Sequence, residues 1–84
     1  MRLDDYLSTV GIVKRRTVAK ELGSAGMIEV NGRRAKSAYE VKTGDIVRIK
    51  GSRPVAAEVL KIPTGSVPKT ERGQFFKILN SESV

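Results

Sequence analysis

The fold is decided by one short stretch, Met27-Ile28-Glu29-Val30-Asn31-Gly32-Arg33-Arg34. In it, residues 28–30 alternate apolar, polar and apolar side chains, which is the pattern of a half-buried β-strand. The Asn-Gly pair follows at once and favours a type I′ turn, because both central residues of that turn need a positive φ. The stretch therefore predicts a β-hairpin.

A short helix is predicted at the N-terminal end of the chain. Apolar residues recur there at helical intervals, at Leu3, Leu7 and Val10. Asp4 and Asp5 lie in the first turn, where the helix dipole favours anions, and Asp4 is interpreted as a helix cap. Gly11 ends this helix.

A second helix is predicted from about Arg15 to Ser24. One of its faces is apolar and carries Val18, Ala19 and Leu22. Gly23 and Gly26 are both residues at which such a helix could end.

Extended structure is predicted again after the hairpin. The sequence Thr43-Gly44-Asp45 indicates a turn that leads into an alternating strand, Ile46–Ile49. Residues 51–54 break this strand, and residues 55–62 predict one more.

The tail allows two interpretations. Residues 63–68 form a loop, and residues 69–79 form either a short helix that begins at Pro68 or an extended segment over residues 75–79. Residues 80–84 are expected to fray. Both interpretations of residues 69–79 stay open at this point.

The composition excludes several classes of function. Cysteine and histidine are both missing among the 84 residues, so no disulfide, thiolate nucleophile, zinc–thiolate site or histidine general base is available. Apolar runs are too short for a membrane span, and the N-terminus lacks a signal-peptide core. We therefore expect a cytoplasmic protein without a metal, a cofactor or a small-molecule substrate.

The charge balance points to a polyanion partner. Sixteen Lys and Arg residues stand against nine Asp and Glu residues, and the formal net charge is +7. Seven of the cations fall within 23 residues of the chain, at Lys14, Arg15, Arg16, Lys20, Arg33, Arg34 and Lys36. This clustering predicts a nucleic-acid surface.

The triplet Lys14-Arg15-Arg16 is the most informative part of this cluster. It lies where the second helix should begin, and there the helix dipole disfavours cations. A sequence shaped for stability alone would place Ser, Asp or Glu at this end. We interpret the triplet as a phosphate contact; the alternative is a solvated face whose side-chain stems cover apolar surface.

Other polar and aromatic residues have structural interpretations. Asn31 is interpreted as a turn residue, and the turn sets the direction of the arginines that follow it. Tyr6 packs at the edge of the core, whereas Tyr39 could either pack or stack on a base. The acids are not spaced for acid–base catalysis, and Asp45 is interpreted as a turn residue. The sequence therefore predicts no catalytic site.

Several short motifs together resemble the S4 RNA-binding domain. They are Arg2-Leu3-Asp4, Lys14-Arg15-Arg16-x-x-Ala19-x-x-Leu22, Gly26-x-Ile28-x-Val30-Asn31-Gly32, Ala35-Lys36 and Val41-x-x-Gly44-Asp45. The resemblance covers about residues 1–50 and is closest to the short stand-alone heat-shock and ribosome-quality-control members. It implies an α+β fold in which two short helices pack on a small, bent antiparallel sheet.

The resemblance also implies a binding surface and a partner. Residues expected to face RNA are Arg2, Lys14, Arg15, Arg16, Lys20, Asn31, Arg33 and Lys36, and the basic cluster adds Arg34. The expected partner is the large ribosomal subunit that carries a stalled peptidyl-tRNA. The expected ligand on it is rRNA, and tRNA is a further candidate.

We accordingly divide the chain into an RNA-binding domain, residues 1–62, and a C-terminal extension, residues 63–84. The protein is expected to be a monomer that catalyses no reaction and does not bind a membrane. Two alternatives stay open, a general structured-RNA binder and a protein-interaction adaptor whose basic face is incidental.

Overall fold

A computed structural model describes residues 1–51 and 54–79 of the chain. The two predicted helices are present, and a five-stranded antiparallel sheet follows them. The helices are α1 (Leu3–Thr9) and α2 (Arg16–Ser24), and the strands are β1 (Ile28–Val30), β2 (Arg33–Arg34), β3 (Ile46–Ile49), β4 (Val55–Val59) and β5 (Phe76–Ile78). The strand order is β2-β1-β3-β4-β5, so the expected α+β class is confirmed.

The predicted hairpin is confirmed at the Asn-Gly pair. Asn31 has a φ of 54° and Gly32 a φ of 84°, as a type I′ turn requires. Val30 pairs with Arg33 and Glu29 pairs with Arg34, so the turn joins β1 directly to β2. The turn before β3 is also confirmed, with Gly44 at a φ of 94°.

Helix α1 contributes three large side chains to the core. Leu3, Tyr6 and Leu7 have no exposed surface, and they cluster with the inward-facing residues of β1 and β3. The interpretation of Asp4 as the cap was wrong, because the N-cap lies two residues earlier, at Arg2. Asp4 instead lies within the first turn, and its side chain is completely buried.

Helix α2 packs closely through small residues. It begins at Arg16 with Arg15 as its N-cap, close to the predicted start. Of the predicted apolar face, Ala19 is buried, but Val18 is 41% exposed. The helix runs through Gly23, and the backbone of Ser37 packs closely against it: a Cβ on Gly23 would lie 2.8 Å from Ser37 N.

Strand β4 is shorter than the strand predicted for residues 55–62. Strand β4 stops at Val59 because the next two backbone N–H groups, those of Leu60 and Lys61, both donate to Phe75 O. The two interpretations of the tail are each correct in part, since a 3-10 helix (Lys69–Gln74) precedes β5. Tyr6 OH also donates to Phe75 O at 2.7 Å, so residues 69–79 are tied to both α1 and the sheet.

Some expectations concern residues that are not described. The fraying expected of residues 80–84 lies outside the described residues, as do residues 52 and 53 of the predicted break. The division of the chain at residue 62 stays a prediction. Within residues 1–51 and 54–79, neither helix has the length and apolar character that crossing a bilayer requires.

Candidate nucleic-acid interface

A buried carboxylate joins the starts of the two helices. Arg2 Nε donates to Asp4 Oδ1 at 3.1 Å, and Arg2 Nη2 donates to Asp4 Oδ2 at 3.2 Å. Arg16 Nε lies 3.7 Å from Asp4 Oδ2, and the backbone N–H of Asp5 donates to Asp4 Oδ1 at 2.7 Å. Both carboxylate oxygens therefore have partners, and two of the predicted RNA contacts converge on one acid.

The ionisation of Asp4 follows from these contacts. Burial on its own raises the pKa of Asp4, but the hydrogen bonds from Arg2 and from the backbone of Asp5 lower it. The charges of Arg2 and Arg16 lower it further, and the net result is a pKa below the ordinary aspartate value. Asp4 is thus an anion at neutral pH, although water does not reach it.

The start of α2 combines cations with open backbone donors. No side chain caps the helix at Arg15, and the first turn contains no acid. Lys14, Arg15 and Lys20 are exposed, and no residue in the described part of the chain forms an ion pair with them. Free N–H groups at a helix start bind anions, and nearby cations strengthen that attraction.

The basic surface continues along α2 towards its other end. Arg16 and Lys20 are one turn apart and share a helix face. Lys36 borders a shallow pocket beside the last turn, together with Gly23 and Ser24. Nine helical residues span roughly 13 Å, so the basic surface extends over about that length.

The hairpin places its two arginines on opposite faces of the sheet. Arg33 is paired with Val30, whose side chain enters the core, whereas Arg34 is paired with the solvent-facing Glu29. Neighbouring residues of a strand point to opposite faces, so the two guanidinium groups diverge. Of these two predicted contacts, Arg33 alone lies on the side of the sheet that carries the helices.

Arg34 belongs to a second group of charges on the outer face. Arg48 also pairs with Glu29, and Lys50 Nζ lies 2.8 Å from Glu29 Oε2. The hydrogen bond from Lys50, with the charges of Arg48 and Arg34, lowers the pKa of Glu29 against the opposing effect of burial. We call Glu29, Arg34, Arg48 and Lys50 the sheet-face cluster, and Arg2, Asp4, Lys14, Arg15, Arg16 and Lys20 the helix-end cluster.

Asn31 is committed to internal hydrogen bonds. Its Nδ2 donates to Asp45 Oδ1 at 3.0 Å, and the backbone N–H of Ile46 donates to its Oδ1 at 2.9 Å. Tyr39 OH and the backbone N–H of Lys42 donate to the second oxygen of Asp45. Asn31 therefore holds the hairpin turn against β3, and the hydroxyl of Tyr39 is used within the fold.

The residue that sequence reasoning missed is Asp4. The available signal was its position between Leu3 and Tyr6, which places it near the buried face of α1 rather than on its solvent side. No group of acids suited to a metal ion occurs within the described ranges. The predicted RNA contacts themselves stay predictions.

Comparisons with known proteins identify the family. The S4 domain model matches residues 1–47. The chain is 40% identical to the RQC P-site tRNA stabilizing factor of Streptococcus pneumoniae, over 100% of this chain and 96% of that protein. It is 35% identical to the protein of the same name from Bacillus subtilis, over 100% of this chain and 98% of that one.

A solved structure gives the same result at the level of the fold. A trimeric structure of heat shock protein 15 from Vibrio cholerae superposes with a TM-score of 0.84 at 25% identity, covering 94% of this chain and 81% of that one. The motifs, the fold and the full-length relatives all agree. The chain belongs to the S4 domain family.

Proposed function

We propose that this protein is a non-catalytic RNA-binding factor that docks on structured rRNA of the large ribosomal subunit and acts in the quality control of stalled ribosomes. The S4 domain is an RNA-binding domain, and the full-length relatives are named as factors that stabilise a P-site tRNA. We therefore include tRNA among the proposed ligands. The relatives are named as stabilising factors and not as enzymes.

The start of α2 is the observation that carries this proposal. Exposed cations without acidic partners surround a helix start that lacks a side-chain cap. Such a site has no acid of its own at the helix cap, and it offers both charge and N–H donors to an external anion. The proposed contact surface consists of Arg2, Lys14, Arg15, Arg16, Lys20, Arg33 and Lys36.

Two further predicted contacts take other roles in this proposal. Arg34 lies on the outer face of the sheet, next to Glu29, and would reach RNA from a different side. Asn31 supports the turn through Asp45 and Ile46. The hairpin thus contributes Arg33 to the proposed surface.

Recognition in this proposal depends on backbone charge and shape. The exposed charged residues of α2 are two cations, Arg16 and Lys20, and one acid, Glu21, whereas both tyrosines use their hydroxyls inside the fold. A-form RNA is bound mostly through phosphates and 2′-hydroxyls, and such contacts release counterions. Five to seven phosphate contacts give a log–log salt slope of about −4 to −6.

The remaining parts of the proposal concern the state of the protein. We propose a monomer in the cytoplasm, bound to ribosomal particles and more abundant there under heat shock or stalling. Large exposed apolar side chains in the described residues are few, namely Val18, Leu60 and Ile78. Scattered exposed apolar residues are ordinary for a monomer.

Sedimentation of cell lysate on a sucrose gradient tests the ribosomal assignment. Wild-type protein is expected in the large-subunit fractions, with more of it there when translation is stalled. Arg15→Asp should move to the top of the gradient, whereas Lys69→Asp, at an exposed position outside the proposed surface, should not. Wild-type protein found only at the top under stalling contradicts the assignment and favours a general structured-RNA binder, provided that the purified protein still binds RNA.

A further inference from the structure

We infer that Asp4 is a positioning residue of the RNA interface, because its buried carboxylate holds Arg2 and Arg16 in the geometry that receives phosphate. This inference rests on the proposed function and goes beyond it, since it assigns to an acid a favourable role in binding an anion.

The geometry leaves both arginines able to bind while they are held. Asp4 engages Nε and Nη2 of Arg2 and only Nε of Arg16. A guanidinium carries five N–H donors, so each arginine keeps donors for a second partner. Their side chains are 45% and 50% exposed, whereas that of Asp4 is 0% exposed. An approaching phosphate therefore meets the cations and not the carboxylate.

Fixing these side chains has a direct effect on affinity. A free arginine loses much rotamer freedom when it docks, and that loss weakens binding. Arg2 is already held by two hydrogen bonds, and Arg16 is placed beside it by the same acid although it comes from another helix. The two cations are thus preorganised as a pair before RNA arrives.

Simple electrostatics makes the opposite prediction for Asp4. An anion close to the phosphate site repels RNA, so removing its charge should tighten binding. The positioning role predicts weaker binding on the same change. The sign of the effect therefore separates the two explanations.

The first test compares Asp4→Asn with Asp5→Asn by fluorescence anisotropy of a labelled RNA hairpin. Both changes remove one charge from the first turn of α1, but the Asp5 carboxylate forms its hydrogen bond with Thr9 rather than with an arginine. We expect the Kd to rise about three- to tenfold for Asp4→Asn and to stay equal or fall slightly for Asp5→Asn. A Kd for Asp4→Asn at or below the wild-type value overturns the inference.

The second test includes a measurement in the wild-type background, which does not depend on how well Asp4→Asn folds. Arg2→Lys keeps the charge but cannot reproduce the two-pronged contact with Asp4. We expect the Kd of Arg2→Lys to rise severalfold in the wild-type background and to change by less than about twofold in Asp4→Asn, where the geometry is already lost. A Kd unchanged by Arg2→Lys in the wild-type background contradicts the inference.

Failure of this inference differs from failure of the proposed function. If the wild-type protein shows no salt-dependent binding to the hairpin, the proposed function fails. If the wild type binds but Asp4→Asn binds as tightly or more tightly, only the positioning role of Asp4 fails. Circular dichroism of each variant at the assay temperature establishes that folded proteins are being compared.

Discussion

The helix-end cluster and the sheet-face cluster are both basic, but they place their acids differently. In the helix-end cluster, Asp4 contacts two of the five cations, Arg2 and Arg16, and its carboxylate has no exposed surface. In the sheet-face cluster, three cations surround Glu29, whose side chain is 24% exposed and pairs with Lys50 at the surface. An exposed acid repels an external anion, whereas a buried acid that the anion cannot approach repels it less. The position of the acid, more than the number of cations, distinguishes the proposed RNA surface.

The largest expected effect comes from reversing a charge within the helix-end cluster. Asp at the N-cap of α2 would accept hydrogen bonds from first-turn N–H groups, so Arg15→Asp should stabilise the fold by about 0.5–2 kcal/mol. The helix dipole adds a few tenths of a kcal/mol. The same carboxylate lies where phosphate should bind, so RNA affinity should fall at least tenfold.

Thermal unfolding and RNA titration measure these two effects separately. Lys69→Asp is the matched control, because the Lys69 side chain is exposed and forms no ion pair with any described residue. Arg72 is unsuitable, since its guanidinium packs against Gly11. If Arg15→Asp binds RNA as tightly as Lys69→Asp, the start of α2 is not the binding site.

A second change breaks the packing of the last turn of α2, next to Lys36. Alanine is usually favourable inside a helix, but a Cβ on Gly23 would lie 2.8 Å from Ser37 N. Gly23→Ala should therefore destabilise the fold by about 1–3 kcal/mol and displace the neighbouring Lys36. Gly73→Ala is the control, because nothing lies within 4 Å of a Cβ there. Equal urea midpoints for the two variants would show that Ser37 is not packed against α2 as described.

The hairpin carries Arg33 of the proposed contact surface and Arg34 of the sheet-face cluster, and a change at Asn31 tests which hydrogen bonds stabilise this hairpin. Asn31→Gly keeps the positive φ but removes the hydrogen bonds to Asp45 and from Ile46. We expect a loss of about 1–2 kcal/mol in the free energy of unfolding. RNA affinity should change by less than about twofold while the protein is folded. A tenfold loss of affinity without loss of stability would instead make Asn31 a direct RNA contact.

The acids of the two clusters should also differ in how they respond to pH. The folded pKa of Asp4 lies below its ordinary value of 3.8, so its ionised form stabilises the fold above that value. This contribution is lost as the pH falls through the folded pKa. Asp4→Asn should therefore remove part of the acid-induced loss of stability.

Urea unfolding between neutral pH and about pH 3 measures this effect. Glu29→Gln is the comparison, because Glu29 also has a lowered pKa but is partly exposed, where solvent screens the interaction. We expect a smaller change for Glu29→Gln than for Asp4→Asn. The reverse order would contradict the difference in burial between the two acids.

Local rules explain what the sequence predicted correctly. The Asn-Gly turn, the start of α2 near Arg15 and the turn at Gly44 all depend on a few neighbouring residues. The role of Gly23 could not be predicted in this way, because it depends on Ser37, 14 residues further along the chain. Without knowledge of this contact, a glycine near the end of the helical pattern predicts the end of the helix.

The candidate site shows the same limit. The cations could be found from composition and clustering, but the link from Arg2 to Arg16 through Asp4 needs the packing of α1 against α2. The divergence of Arg33 and Arg34 follows from the hairpin register, which pairs Arg34 with Glu29. The two-residue Asn-Gly turn sets that register, so the separation of the two arginines can be predicted from the sequence.

The salt dependence of RNA binding tests the difference between the clusters most directly. A helix-end variant replaces Lys14, Arg15 and Lys20 by Gln, and a sheet-face variant replaces Arg34, Arg48 and Lys50 by Gln, so both lose three positive charges. We expect the wild-type log–log slope of about −4 to −6 to become shallower by about 3 in the helix-end variant and by less than about 1 in the sheet-face variant. Equal changes in the two variants, or a larger change in the sheet-face variant, would contradict the assignment of the helix-end cluster as the RNA surface.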